Sequence, residues 1–255
     1  MALDIYVGPL TRFYTGRWKS IITQYREGFD PNCLVLDGGL DRLADLQVET
    51  PEGHVQIMET KVNRKYLSPL ADAGQMIENW RQSLNEALAA SLKEPLDWPE
   101  DNDGDYFTDK PGWEAYGALM LWAAHEEHPE FEAPEILPED WVADPAHELS
   151  LPEDSLTRYP TLLRCDFWLP GEYSFTSQGK APNETDVTFG FSAALRNELV
   201  ELNARTWCAD EISGWLAYGK KREDGLEDCA KFAFAVFYAL AGIANKYNQP
   251  MVLDW

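Results

Sequence analysis

Leu3-Asp4-Ile5-Tyr6-Val7 is the stretch from which the fold is best inferred, because its alternating apolar residues predict a half-buried β-strand. Gly8-Pro9 ends the predicted strand. Met251-Val252-Leu253 predicts another strand near the other end of the sequence. Strands at both ends make a single α/β or α+β domain more economical than two independent domains.

Helical periodicity separates these predicted strands. A long amphipathic helix is predicted from Ser68 to Leu92, where Pro69 can occupy the first helical position. Ser192 is predicted to cap a helix that has Leu195, Leu199, Leu202 and Trp207 on one face. The remaining predicted helices cover Thr11–Tyr25, Trp113–Ala124 and Cys229–Tyr247.

Further strands are predicted where aromatic and β-branched residues lie between turn signals. Cys33–Leu36 predicts a strand, and Val48–Met58, broken by Pro51-Glu52-Gly53, predicts either a hairpin or an edge excursion. Three stretches that follow Arg158 predict a three-stranded antiparallel meander: Cys165–Leu169, Tyr173–Thr176 and Asp186–Gly190.

Length and composition favour a packed globular chain. The 255 residues are 45% hydrophobic and 13% aromatic, which is enough for a sizeable core. We predict a single α/β or α+β domain over residues 1–255. It would contain a mixed, partly antiparallel sheet flanked by amphipathic helices, with an acidic irregular insertion at residues 94–154.

The lack of a recognisable targeting signal, together with the cysteine spacing, predicts a cytoplasmic location. The N-terminal residues lack the basic and apolar regions of a signal peptide. The longest apolar stretch, Phe232–Ala244, is shorter than the roughly 18 residues that a membrane span requires. Four cysteines without a CxxC pair are predicted to be reduced core thiols.

Acidic residues are concentrated in the middle of the chain. The formal net charge is −23, and residues 94–154 contain 19 acidic residues and one basic residue. Because nucleic-acid phosphates require a basic surface, we expect no binding to nucleic acid, and we expect no membrane partner. An acidic balance suits a basic protein partner, a cation, or solubility alone.

Aromatic residues interleave with these acids and predict a partner-binding surface, since buried aromatic side chains supply binding energy that charge alone does not. Trp98 and Trp141 are further candidates for such contacts, and Trp141 and Phe131 are predicted to hold the acidic segment to the domain body. The candidate partner-binding residues are Asp101, Asp103, Asp105, Tyr106, Phe107, Glu126, Glu127, Glu130 and Phe131.

The first functional hypothesis is therefore a non-enzymatic acidic binding protein. Its most specific form is an immunity or antitoxin-type inhibitor that covers a basic toxin or nuclease. A second hypothesis is a structural or housekeeping protein in which acidity serves solubility.

A third hypothesis is a metal-assisted hydrolase that uses His125 and His128 as metal ligands. Zinc-protease helices place two histidines four residues apart, whereas these two are three apart and precede Pro129. Another ligand would have to come from His147 or Asp144. The competing interpretation is a solvated pair of histidines at a helix C-terminus, where positive charge is favoured.

The segment Asp97–Asp105 is similar in composition to a calcium-binding loop. Aligned on Gly104, however, it places Pro99 and Lys110 where calcium loops require acidic ligands. The interpretation left open is a looser divalent-cation site, and otherwise no cofactor is expected.

A pocket is predicted near the first strand, since ligands of open α/β sheets bind beyond the carboxyl ends of strands. Asp4, Arg12 and Tyr14 are its candidate residues, and the alternative for Arg12 is a structural ion pair. Asp109 and Lys110 form either a catalytic pair or a helix-start cap. The sequence contains no GxSxG, P-loop or GxGxxG motif, so no catalytic residue is assigned.

Four stretches together resemble a bacterial protein family whose members open with LDIYVGPLTRFY. They are Leu3–Tyr14, Tyr106–Pro111, Leu202–Trp207 and Pro250–Trp255. The resemblance runs over most of the chain and implies a bacterial cytoplasmic origin. It implies no activity and no catalytic residue.

Overall fold

A computed structural model describes residues 3–34, 48–49, 55–56, 70–218 and 224–254. These residues form a single α/β domain with eight α-helices and a six-stranded mixed sheet. The helices α1 to α8 are Leu10–Tyr14, Ile21–Glu27, Leu70–Leu88, Trp113–Glu127, Pro145–Ser150, Pro160–Arg164, Ser192–Arg205 and Leu226–Tyr247. The strands β1 to β8 are Asp4–Val7, Val48–Glu49, Val55–Gln56, Phe107–Asp109, Phe167–Leu169, Ser177–Lys180, Asp186–Phe191 and Met251–Asp254.

The large sheet has the strand order β4-β1-β8-β5-β7-β6. One neighbouring pair, β5 and β7, is parallel, and the other pairs are antiparallel. The predicted mixed, partly antiparallel sheet is therefore confirmed. The predicted hairpin is also confirmed, because β2 and β3 form a separate antiparallel pair.

The first and last strands lie side by side at the centre of the sheet. Val7 is opposite Met251, and Asp4 is opposite Asp254. Both faces of β1 are buried, because Ile5 packs in one hydrophobic cluster and Tyr6 packs in another. The strand was predicted correctly, but its alternation does not expose one side to solvent.

Helices cover both faces of the sheet. On one face α4, α7 and α8 pack around apolar residues such as Phe234, Phe237 and Leu199. Burying one such side chain stabilises the fold by about 1.5–3 kcal/mol. The predicted apolar helix face is confirmed for Leu195, Leu199 and Leu202, which are buried, and is wrong for Trp207, which lies beyond the end of α7.

The opposite face is covered by α1 and α3 and is rich in aromatic rings. The Tyr6 ring centroid lies 5.1 Å from that of Phe13 and 5.2 Å from that of Trp18. The ring centroid of Trp80 in α3 lies 5.8 Å from that of Phe167 in β5. The predicted amphipathic helix is thus confirmed over Leu70–Leu88, while Pro69 lies outside the described residues.

The predicted single helix over Thr11–Tyr25 is wrong. The chain leaves α1 after Tyr14 because Gly16 adopts a φ of +69°, a left-handed conformation that favours glycine. A new helix, α2, begins at Ile21, where the Ser20 hydroxyl accepts a hydrogen bond from the Thr23 amide.

The predicted antiparallel meander is also wrong. Its first and third strands pair directly with each other, in parallel, and the strand between them in sequence is Ser177–Lys180 rather than Tyr173–Thr176 and lies at the edge of the sheet. Tyr173 and Phe175 instead pack against Phe191, with ring centroids 5.0 and 5.1 Å away. Tyr173 is fixed further by its hydroxyl, which accepts hydrogen bonds from the amides of Lys93 and Glu94.

Ser192 does not cap α7 as predicted, because it is the first helical residue and Phe191 occupies the cap position. Its hydroxyl donates instead to Oδ1 of Asn245 at 2.6 Å. Of the predicted strand Cys33–Leu36, Cys33 forms a bridge to Tyr106, and Val35 and Leu36 lie outside the described residues.

None of the four cysteines, all of which the structure describes, forms a disulfide. Cys33, Cys165 and Cys229 are buried, as predicted, whereas the prediction of a core position is wrong for Cys208. Cys208 has a φ of +49° just beyond α7 and is exposed. In the part of the chain that the structure describes, no helix combines the length and apolar character needed to cross a membrane.

Candidate protein-binding surface

The acidic residues 94–154 are continuous with the domain body. They contain β4, which pairs with β1, and α4, which packs in the main core. The individual carboxylates therefore have to be separated into those that face the body and those that face solvent.

Glu100 faces the body and caps α1. Its carboxylate accepts hydrogen bonds from the Leu10 amide at 3.0 Å and the Thr11 amide at 2.9 Å. It also accepts one from the Trp98 indole. Because the first amides of a helix lack partners within it, this carboxylate stabilises the helix start.

Glu126 and Glu127, at the end of α4, also face the body. Their side chains are only 10% and 5% exposed. Glu126 accepts from the Tyr159 hydroxyl at 2.7 Å and pairs with Arg205. Glu127 accepts from the Thr157 hydroxyl and the Arg158 amide. These two predicted partner-binding residues are thus engaged within the fold.

Glu198 of α7 binds residues that closely follow Thr157–Tyr159, the stretch held by Glu126 and Glu127. It accepts hydrogen bonds from the amides of Thr161 at 3.0 Å and Leu162 at 2.8 Å, which start α6. Burial raises the pKa of Glu198 to about 7, hydrogen bonds from Thr161 and Leu162 lower it, and the charge of Glu127 adds to the rise. No sequence pattern pointed to this residue, since the helix was predicted from apolar spacing alone.

The predicted contact residues around the turn at residues 101–105 divide into exposed acids and buried aromatic residues. Asp101, Asp103 and Asp105 are exposed. Tyr106 and Phe107 are 0% and 7% exposed, so their rings belong to the core and cannot serve as surface contacts in this fold.

Arg12 binds this turn to the domain body. Its guanidinium donates to the carbonyl of Gly104 at 3.0 Å and to Asp30 at 3.0 Å. It lies 4.5 Å from the centroid of the Tyr106 ring. Arg12 is buried, so its structural interpretation, an ion pair with an acid, is the one that the geometry supports.

Acids that face solvent are concentrated in residues 130–156, which we call the acid-apolar segment. Five of the eleven exposed large hydrophobic residues that the structure describes also lie here. The sequence contains no lysine or arginine from residue 111 to residue 157. The exposed acids are Glu130, Glu132, Glu135, Glu139, Asp140, Glu148, Glu153 and Asp154. The exposed apolar residues are Ile136, Val142, Leu149, Leu151 and Leu156.

The inner side of this segment is tightly held. Trp141, 4% exposed, packs against Trp113 with ring centroids 5.2 Å apart. A Cβ atom at Gly117 would lie 2.6 Å from the Trp141 ring, so glycine is required for this close approach. The prediction that Trp141 holds the segment to the body is confirmed.

Two polar contacts fix the rest of the segment. Asp144 caps α5 by accepting from the Ala146 amide at 2.9 Å. Arg164 donates to the carbonyls of Ser150 at 3.0 Å and Ser155 at 3.1 Å. The exposed apolar residues are therefore presented by an ordered backbone.

The two histidines of the predicted metal site interact with different acids. His125 Nε2 lies 3.2 Å from Asp144, and His128 Nδ1 lies 3.3 Å from Glu130. His147 Nδ1 lies 3.2 Å from the carbonyl of Val142, and burial lowers its pKa. Among the residues that the structure describes, no three His, Cys, Asp or Glu side chains converge to hold a metal.

Four of the five predicted pocket residues are buried, and Lys110 is partly buried. Asp4 and Asp109 are 3% and 5% exposed at the end of the sheet where β1 begins. Burial lowers the pKa of Lys110, and the charge of Asp4 opposes that shift. Tyr14 is buried under the sheet, and burial, with the charge of Asp254, raises its pKa. Arg12 lies in the turn contact described above.

Sequence reasoning missed the exposed apolar residues of the acid-apolar segment. Ile136 follows no periodic pattern, and although Leu149 and Leu156 are seven residues apart, Pro152 between them argues against a continuous helix. The sequence does contain another indication of these exposed apolar residues: isolated apolar residues stand between acids in a stretch without lysine or arginine. No family model, curated protein or solved structure matches the chain.

Proposed function

We propose that this chain is a non-enzymatic binding protein whose acid-apolar segment docks onto a basic protein. One observation carries the proposal: eight exposed acids and five exposed large apolar residues share one ordered segment that contains no lysine or arginine. Contiguous exposed apolar patches are typical of protein-interaction sites, and the proposal requires these five side chains to form one such patch.

The two kinds of side chain have different roles in this proposal. Burying a leucine such as Leu156, which is fully exposed, contributes roughly 1.5–3 kcal/mol. The carboxylates accelerate encounter with a basic surface, raising association toward about 10⁸–10⁹ M⁻¹s⁻¹ at low salt. Solubility alone accounts for the acids but not for the apolar residues among them.

The most specific form of the proposal is an immunity or antitoxin-type inhibitor. A toxin or nuclease that acts on nucleic acid requires a basic surface to bind phosphates. A protein that covers such a surface with carboxylates excludes the natural anionic substrate. The absence of GxSxG, P-loop and GxGxxG motifs from the sequence agrees with a role that needs no chemistry.

The test is a comparative capture from source cells at about 50 mM salt, followed by washes up to about 500 mM, where electrostatic screening is strong. The first variant carries Glu132→Gln, Glu139→Gln and Asp140→Asn. The second carries Leu149→Ser and Leu156→Ser. The matched control neutralises three exposed acids elsewhere, with Asp101→Asn, Asp103→Asn and Asp105→Asn.

We expect one basic protein to bind the wild type and the control variant, to be released by salt, and to be lost from both segment variants. The purified pair should then show at least tenfold weaker binding for each segment variant in calorimetry. If the partner binds all four proteins equally, or if the control loses it as well, the segment is not the docking surface.

A further inference from the structure

A cavity of about 390 Å³ lies beyond the carboxyl ends of the two parallel strands, away from the acid-apolar segment. Leu169 and Phe191, which end β5 and β7, are opposite each other in the sheet. Ligands of α/β sheets bind at this end of parallel strands. The polar residues that line the cavity are Glu172, Ser174, Arg196, Asn197 and Asn245.

Arg196 is held in place by α8. Its guanidinium donates to the carbonyl of Tyr238 at 2.8 Å and lies 3.4 Å from the centroid of the Tyr238 ring. A Cβ atom at Gly242 would lie 2.1 Å from Nη1 of Arg196. The glycine therefore leaves the space that the guanidinium occupies, and this position is built by both helices.

Arg196 also has no carboxylate within ion-pair distance in the described part of the chain, unlike Arg12, which pairs with Asp30. The chain has 44 acidic and 21 basic residues, so acidic side chains outnumber the basic side chains with which they could pair. A half-buried guanidinium keeps a strong preference for an anionic partner. Arg196 lines the cavity, and of the five N–H donors of its guanidinium the structure assigns one to the Tyr238 carbonyl.

Asn245 adds donors to the same cavity. Its Oδ1 accepts the hydroxyl proton of Ser192 at 2.6 Å, which fixes the amide orientation and leaves Nδ2 as a donor. Ala193 and Ala194, in the first turn of the 14-residue helix α7, line the cavity as well. The partial positive charge of that helix end favours an anion, in the same sense as Arg196.

We propose that this cavity binds a small oxyanion, a phosphate or a carboxylate, between Arg196 and the side-chain amide of Asn245. The planar guanidinium offers paired N–H donors that match two oxygens of either group. Glu172 is the one carboxylate in the lining, and it is exposed, so solvent screens its repulsion. The cavity volume admits a small organic molecule that carries the anionic group.

The test is calorimetric titration of the full chain with inorganic phosphate, and separately with acetate, at constant ionic strength. We expect saturable binding of at least one anion by the wild type. Saturation by phosphate alone assigns a phosphate ligand, and saturation by acetate alone assigns a carboxylate.

Two variants distinguish this site from general charge effects. Arg196→Gln removes the guanidinium and should weaken binding at least tenfold. Gly242→Ala keeps every charge but displaces the guanidinium, and it should weaken binding by a similar factor.

The matched controls are Lys93→Gln, which removes an exposed charge outside this cavity, and Gly74→Ala, a helix glycine whose Cβ would meet nothing within 4 Å. Both should bind within twofold of the wild type, and circular dichroism should show all four variants folded. Absence of saturable binding up to about 50 mM of either anion, or unchanged binding by folded Arg196→Gln or Gly242→Ala, overturns the proposal.

Discussion

The acidic block between Glu94 and Asp154 contains two populations of carboxylates that differ in their surroundings. Glu100, Glu126 and Glu127 face the body and accept hydrogen bonds from backbone amides and hydroxyls. Acids such as Glu132 and Asp140, in the acid-apolar segment, face solvent beside exposed apolar side chains. Residues of one type, separated by a few positions, thus stabilise the fold in one place and leave charge on the surface in another.

This difference shows that net charge is a poor measure of an interaction surface. A carboxylate that accepts amide protons at a helix start contributes to stability, whereas an exposed one contributes little. We call the acids that face the body inward acids and those that face solvent outward acids. Removing an inward acid should therefore destabilise the protein, and removing an outward acid should alter only binding. The predictions below test this division.

The largest effect is expected at the junction of the two regions. Trp141→Ala removes the ring that holds the acid-apolar segment against α4, and we expect a loss of about 3–5 kcal/mol in the free energy of unfolding. The measurement is urea denaturation followed by circular dichroism. Val142→Ala, at a neighbouring position that is 45% exposed, is the control and should cost under about 0.5 kcal/mol. A loss below about 1 kcal/mol for Trp141→Ala would show that the segment is not held by this ring.

The next effect concerns a buried inward acid. Glu198→Ala leaves the amides of Thr161 and Leu162 without their acceptor, and we expect a loss of about 2–3 kcal/mol. Glu201→Ala, on the same helix with a side chain 49% exposed, should change stability by under about 0.5 kcal/mol. Equal losses for the two variants would contradict the division between inward and outward acids.

The same glutamate predicts a pH dependence. Its pKa rises from the ordinary value of 4.5 to about 7 in the folded state, chiefly because of burial. Between those values the folded protein binds more protons than the unfolded chain, so this contribution falls as the pH rises and levels off above about 7.

Glu198→Gln lacks this titration. We therefore expect the stability of the wild type relative to Glu198→Gln to fall by about 2 kcal/mol between pH 5 and pH 8. Urea denaturation across that range measures the difference. Parallel pH profiles for the two proteins would show that Glu198 does not titrate there, and Glu201→Gln should remain parallel to the wild type.

The smallest effect is expected for the outward acids. The triple variant Glu132→Gln, Glu139→Gln and Asp140→Asn should change the free energy of unfolding by no more than about 0.5 kcal/mol, because these side chains are exposed. Thermal denaturation at about 50 mM and 500 mM salt checks this. A loss above about 1 kcal/mol would place these acids among those that stabilise the fold.

Elements with a local signal were predicted well from the sequence. The leucine face of α7 and the two central strands β1 and β8 follow from spacing alone. The parallel pairing of β5 with β7 could not be predicted, because two adjacent strand-like stretches separated by a turn favour a hairpin. Here Tyr173 packs against Phe191 and binds residues 93–94 instead, and both contacts lie far from it in sequence.

The candidate surface was predicted only in part. Asp101, Asp103, Asp105 and Glu130 are exposed, but Glu126 and Glu127 are bound by groups about 30 residues away, at Thr157 to Tyr159. Composition cannot reveal such pairings, since it does not fix which residues meet in space. The Arg196 cavity was missed for the same reason. Tyr238 and Gly242 position the Arg196 guanidinium, but no pattern in the sequence links these residues to Arg196.

The place of β8 between β1 and β5 has a consequence for synthesis on the ribosome. Until Met251–Asp254 have been made, β1 can pair with β4, and β5 with β7, but the two halves of the sheet have no common strand. Each half then presents an open edge, which is the kind of surface that pairs with other chains. The nascent chain is therefore most exposed to aggregation just before β8 emerges and joins the two halves.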